Sequence, residues 1–154
     1  MTVTLSSAGG SSVPNWTLVA SNAPSGVGTY TFPGLAGYSK YRILSTNLTL
    51  SSGAIIGLRL NGDAGANYTP ILGTNGSANG TSVALTGTSA TNPIYAEIDG
   101  ALVLAPKLIA TPSFGTPYPL QNSAYLTTSA LTSITIFLSA NNFSTGTIYL
   151  LGAN

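Results

Sequence analysis

Along most of this chain, apolar residues recur at every second position in short runs, and clusters of Gly, Asn, Ser and Pro separate the runs. Period two is the spacing of a strand, whose successive side chains point to opposite faces. Residues 94–99 show it plainly: Ile94, Ala96 and Ile98 alternate with Tyr95, Glu97 and Asp99. Residues 54–61 predict a strand with Ile56, Leu58 and Leu60 inward and Ile55 and Arg59 outward. Residues 131–139 and 146–151 predict two more, burying Ile134, Ile136 and Leu138, then Ile148 and Leu150, across the turn NNFST, so that the chain ends inside a sheet. The longest candidate, 41–50, places Leu44, Leu48 and Leu50 on one face and Tyr41, Ile43, Ser45 and Asn47 on the other. Shorter runs at 16–20, 28–32, 83–85 and 101–105 bring the expectation to about eight to ten strands.

The turns expected between these strands follow from residue chemistry. Gly53 predicts a hairpin joining 41–50 to 54–61, and Asp99-Gly100 a tight hairpin joining 94–99 to 101–105. The stretch 61–67, NGDAGAN, is rich in residues that tolerate positive φ and cap their own backbone, so Asn61, Gly62, Asp63, Gly65, Asn67 and the following Tyr68 are the expected structural loop. Residues 69–92, with Asn-Gly steps at Asn75 and Asn79, read as a long surface excursion. Between 106 and 120, Pro106, Pro112, Pro117 and Pro119 remove ladder donors, which predicts an edge or an irregular loop.

Composition supports strands over helices. One Glu, one Gln, two Lys, two Arg and one Met leave little from which to build an exposed helical face. The pattern is that of an all-β sandwich or barrel. A single domain over 16–154 preceded by a flexible N-terminal arm, 1–15, is the expected organisation. The opening MTVTLSSAGG has neither the basic nor the apolar region of a secretory signal, and no apolar run reaches the roughly 18 residues of a bilayer span. A protein made in a cytoplasm, with no membrane contact, is therefore expected.

Charge changes the picture further. Charged residues make up 5% of the chain, against about 25% in ordinary domains. Thr, Ser, Gly and Asn supply 70 of the 154 residues, so the surface is polar but weakly repulsive and suits permanent association. A net charge of +1 offers no footprint for nucleic acid. With no His and no Cys, the usual Ser-His chemistry and nearly all zinc and iron sites are excluded, and no cofactor is expected.

Few chemical candidates remain, and each has a plainer reading. Glu97 and Asp99, two apart on one strand, lie about 7 Å apart on a single face, near the spacing of an inverting glycosidase pair; the plainer reading is two solvated carboxylates. Asp63 offers one carboxylate to a calcium ion, but such sites want several acidic oxygens, and turn formation accounts for the same residues. Six Asn-x-Ser/Thr sequons, at Asn15, Asn47, Asn67, Asn75, Asn79 and Asn142, are what so much Asn, Ser and Thr produces by chance. Tyr38, Tyr41, Tyr95, Tyr118, Tyr125 and Tyr149 are read as exposed, either anchoring a subunit interface or stacking on sugar rings, with the interface favoured.

Three segments add a resemblance. TFPGLAGYSKYRILSTNL (31–48) carries an aromatic-Gly-Leu turn leading into a long strand; LRLNGDAGANY (58–68) has a strand end that opens a loop closing on Asn-Tyr; FSTGTIYLLG (143–152) is a glycine-bearing final strand. In order and spacing these are similar to the small jelly-roll domains of tailed-bacteriophage virions, although 73–92 and the proline-rich part are not covered. The resemblance implies an antiparallel jelly-roll sandwich and a structural, non-enzymatic virion protein. Its leading form is a capsid decoration (cement) protein, a homotrimer on the virion surface bound to the major capsid protein between capsomers. The alternative it implies is a receptor-binding head of a tail fibre or baseplate, which would bind a host surface glycan. A fibre needs an anchor and a shaft, and only a short arm precedes residue 16, which favours decoration.

Overall fold

The computed structural model describes residues 14–70, 80–85, 94–102, 106–111 and 121–154. Among them run eleven strands and no helix: β1 Thr17–Asn22, β2 Thr29–Pro33, β3 Lys40–Leu50, β4 Ile56–Leu60, β5 Tyr68–Pro70, β6 Val83–Ala84, β7 Tyr95–Asp99, β8 Lys107–Thr111, β9 Gln121–Tyr125, β10 Ser133–Leu138 and β11 Phe143–Ala153. They form a seven-stranded sheet, β1-β11-β3-β7-β8-β9-β5, and a four-stranded sheet, β2-β10-β4-β6. Every pairing is antiparallel.

The pairs nest. β1 pairs with β11, β2 with β10, β3 with β7 and β4 with β6. A chain that pairs its first strand with its last and works inward is one long antiparallel ribbon. Rolled so that successive pairs fall in opposite sheets, the ribbon gives the strand order of a jelly roll. The expected jelly-roll sandwich is what the chain forms, with eleven strands among the described residues in place of eight to ten because β8, β9 and β5 extend one sheet beyond the four-on-four frame.

The two inner faces share one hydrophobic core, to which the large sheet contributes Tyr41, Ile43, Ala96, Ile98, Ile148 and Leu150 and the small sheet Phe32, Ile56, Leu58, Leu60, Ile134 and Ile136. Full burial of each large aliphatic side chain stabilises by about 1.5–3 kcal/mol. The alternation expected for 54–61, 94–99, 131–139 and 146–151 holds here, with Ile55 and Arg59 turned outward.

Strand β3 departs from its expected phase. Tyr41 and Ile43 are buried together with Leu48 and Leu50, whereas Leu44 faces outward. The cause is a bulge: Thr46 pairs with Thr147 and Thr49 with Thr145, so Asn47 and Leu48 lie opposite the single residue Gly146. One extra residue reverses the parity of everything beyond it. Asn47 takes φ 50° to do so, a conformation Asn tolerates better than most residues.

The expected Gly53 hairpin does not form. The Gly53 turn carries the chain from β3 in the large sheet to β4 in the small one, since both strands find their partners elsewhere. After Asp99-Gly100, residues 101–102 form a turn instead of the start of the expected strand 101–105, whose residues 103–105 lie outside the described residues; β7 pairs with β8, where Asp99 faces Leu108. The stretch 106–120 is therefore no edge at its start: β8 lies between β7 and β9, and Pro106 precedes the strand, where no ladder donor is lost. Residues 112–120 lie outside the described residues. So do 1–13, which hold nearly all of the expected arm, and 71–79 and 86–93 of the expected excursion.

Candidate functional site

The outward face of the seven-stranded sheet is the most chemically diverse surface among the described residues. Register alone sets out its central row: Leu18 opposes Leu151, Leu151 opposes Arg42, Arg42 opposes Glu97, Glu97 opposes Ala110 and Ala110 opposes Asn122. A second row places Lys40 opposite Asp99 and Asp99 opposite Leu108. On the other side, Tyr149 opposes Leu44 and Leu44 opposes Tyr95.

Cross-strand pairing places the charges directly against one another. Arg42 Nη2 donates to Glu97 Oε2 at 2.9 Å, and the Tyr95 hydroxyl donates to the same oxygen at 3.1 Å. The Arg42 guanidinium lies over the Trp16 ring at 4.0 Å and near that of Tyr95 at 5.5 Å. Lys40 Nζ donates to Asp99 Oδ2 at 2.9 Å, while Asp99 Oδ1 accepts from the Gly100 amide at 2.7 Å. Both ion pairs are part exposed, so each contributes at most about 1 kcal/mol. Glu97 and Asp99 do share a face, as their spacing implied, but Arg42, Tyr95, Lys40 and the Gly100 amide all bond to their oxygens. Glu97, Asp99, Leu108, Ala110 and Asn122 line a depression of about 300 Å³ on this face.

The loop after β4 builds a different kind of site. Asn61 and Gly62 both take positive φ, 55° and 67°, and the Asp63 amide donates to the Leu60 carbonyl at 3.0 Å, closing a tight turn of the primed type. The Asp63 carboxylate accepts from the Gly65 amide (2.7 Å), from Asn67 Nδ2 (2.7 Å) and from the Tyr125 hydroxyl (3.0 Å). Tyr68 packs on Tyr125 with centroids 4.9 Å apart, and its hydroxyl accepts from the Leu60 amide at 2.8 Å. Asn61 Oδ1 accepts from the Thr132 amide at 2.7 Å, and its Nδ2 donates to the Ala130 carbonyl at 3.0 Å. A cation needs oxygen lone pairs, whereas this carboxylate faces N–H and O–H donors, which is the arrangement of a turn former.

These bonds, led by the Gly65 amide and then Asn67, hold the Asp63 carboxyl below its ordinary value of 3.8. A lowered acid contributes stability above its unfolded value and loses that contribution as pH falls through its folded value. Asp63→Asn is therefore expected to cost about 1–2 kcal/mol at neutral pH, since an amide replaces a charge-assisted acceptor. In denaturant titrations at a series of pH values, the gap from wild type should shrink below pH 3.8. A gap independent of pH would remove the role of the charge.

The six tyrosines separate. Tyr41 and Tyr125 are buried, each 1% exposed, which corrects the expectation that all six are exposed. Tyr41 follows the bulge-shifted parity of β3, and Tyr125 is claimed by Asp63 and Tyr68. Tyr38 is half-buried, edge-on to Tyr41 with centroids 5.9 Å apart, and lies so close to Gly152 that no Cβ fits there. Tyr95 and Tyr149 stand half-buried on the outward face of the large sheet, and Tyr118 lies outside the described residues. The sequence reading missed Trp16, taken only as a strand start, and Asn122, on an unpredicted strand; neither carries a local signal of its place. Lys107 is also buried, on the inner side of β8, where lost hydration pushes its amine below its ordinary value.

On the opposite side of the sandwich, the Arg59 guanidinium stacks 4.3 Å from the centroid of the Phe137 ring, and that ring lies directly over Gly57. Threonines fill much of the rest, including Thr31 and Thr135, whose hydroxyls are 2.9 Å apart.

Fold and surface together define the class: an all-β jelly-roll sandwich with a cross-braced, nearly charge-balanced outer face. Among the described residues no group of three or more His, Cys, Asp or Glu gathers as a metal site would require. Comparison with known proteins finds no matching family model, no matching curated protein and no matching solved structure.

Proposed function

We propose that this chain is a structural protein of a tailed-phage particle: a capsid decoration protein that binds the major capsid protein as a homotrimer and reinforces the shell without catalysing a reaction. The observation that carries this reading is a braced loop end with apolar side chains left outside. The turn between β10 and β11 ties its neighbours through backbone hydrogen bonds: Phe143 to Val27, Gly26 to Phe143, Ser139 to Ile55 and Ser51 to Asn142, all within 2.8–2.9 Å. Val27 and Ile55, on loops at either side of that turn, are nonetheless 43% and 42% exposed. A rigid apolar end loses little conformational entropy on docking, which is what a reinforcing contact requires. The chain has three side-chain carboxylates, and all three are held in structural bonds, which supports a non-catalytic role.

The test is docking. The purified chain is expected to scatter light as a trimer, to bind particles that lack it, and to raise the temperature at which they lose DNA. Val27→Asp combined with Ile55→Asp should abolish binding yet change folding stability by only about 0.5 kcal/mol per site, as exposed substitutions usually do. Undiminished binding by the double variant, or a monomer that leaves particle stability unchanged, would sink the proposal.

A further inference from the structure

We infer that the depression on the outward face of the seven-stranded sheet is a binding site for a neutral sugar residue. Its floor is apolar and uncovered: Leu108, though flanked by strands on both sides, is 53% exposed. Leu108 and Ala110 present a flat hydrocarbon surface, while Glu97, Asp99 and the Asn122 amide ring it with acceptors and donors. A pyranose has this pattern in reverse, with C–H faces and a rim of hydroxyls.

Charge selects among ligands. Two carboxylates alone would favour a cation, but Lys40 and Arg42 already stand against them at 2.9 Å, so the site is charge-balanced. Both bonds that Glu97 accepts from Arg42 and Tyr95 fall on one oxygen, Oε2, which fixes how the carboxylate is held. The braces fix both acids before any ligand arrives, so binding orders little side-chain motion. At about 300 Å³ the depression lies at the small end of ligand sites, which suits one ring rather than a chain of them. The loop end proposed for docking lies elsewhere, so a particle-bound copy would keep this face available.

The test is an NMR titration of the full chain, labelled with nitrogen-15 and carbon-13, against the methyl glycosides of glucose, galactose, mannose and N-acetylglucosamine, each up to about 50 mM. At least one should shift the Leu108 methyls, the Ala110 amide and the Asn122 side-chain amide, with a millimolar dissociation constant. Asn122→Ala and Leu108→Ala, both at exposed positions, should each weaken that binding about tenfold without altering the rest of the spectrum. Two results overturn the inference: no shift at these residues with any of the four, or shifts there only with arginine methyl ester, which would mark a cation site. The Val27→Asp, Ile55→Asp variant should still bind the glycoside, so the two proposals fail independently.

Discussion

Gly146→Ala is expected to lower the free energy of unfolding by about 3–5 kcal/mol, one of the most damaging single-methyl additions open to this chain. Two costs add. The backbone at Gly146 has φ 103°, a conformation that costs a residue with a Cβ about 1–3 kcal/mol. The new methyl would also meet backbone, 2.5 Å from the Asn47 carbonyl oxygen and from Leu48 Cα, and overpacking of this kind costs about 1–3 kcal/mol more. A flexible side chain could swing aside, but the bulge in β3 cannot, because it sets which face Leu48 and Leu50 present to the core. Chemical denaturation checks the value. A loss under about 1 kcal/mol would mean that the bulge is soft, and with it the account of the parity of β3. Asn47→Gly, which keeps the positive φ, is the matched control and should cost far less.

Tyr68→Phe is expected to cost about 2–3 kcal/mol, nearly all of it from one oxygen atom. The ring is retained and with it the contact to Tyr125. What is lost is the acceptor for the Leu60 amide, in a strand where Leu60 itself is fully buried, together with the donor that reaches the Asp63 carbonyl at 3.2 Å. A buried N–H left without a partner costs about 1–3 kcal/mol. The same substitution has an alkaline signature. Burial raises the Tyr68 phenol well above its ordinary value of 10.0, so above pH 10 the unfolded chain ionises there while the folded chain does not. Stability then falls as pH rises, and Phe removes that contribution. Tyr41, Tyr95 and Tyr125 are raised in the same direction, so the slope should flatten but persist. A Phe variant with wild-type stability at neutral pH, or an unchanged alkaline slope, would contradict the hydrogen-bonding role.

What could be read ahead of the structure depended on range. Ile94, Ala96 and Ile98, or Ile56, Leu58 and Leu60, reveal their inward face because period two is a property of adjacent residues. The Asn61-Gly62 turn is equally local: both residues favour positive φ, and the hydrogen bond it needs spans three residues. Glu97 and Asp99 were legible as sharing a face for the same reason. Their partners were not, since Arg42 and Lys40 meet them only through the β3 to β7 register, more than fifty residues away in sequence.

The bulge at Asn47 shows why even a strong alternating pattern misleads. Nothing in STNL marks that Asn as left-handed, and one inserted residue exchanges Leu44 for Ile43 in the core. Tyr41, between Lys40 and Arg42, is core, whereas Tyr149, between Ile148 and Leu150, faces outward, each on the face opposite its immediate neighbours. The missed strands β5 and β9 have the complementary problem. YTP and QNSAY are short or polar and acquire strand geometry only from neighbours that supply their ladder partners.

Alternation, a scarcity of helix formers and only three side-chain carboxylates already mark an all-β protein with few reactive groups, because no folding step alters them. That β1 to β7 alternate between the two sheets, and that each of the three side-chain carboxylates has a partner, follows from long-range pairing alone. The tertiary structure also decided that an apolar depression opens beside two of them. The reason is that periodicity tells a residue which way to face but not which strand to face. The pairing that makes a jelly roll joins the two ends of the chain, far beyond the reach of any local pattern.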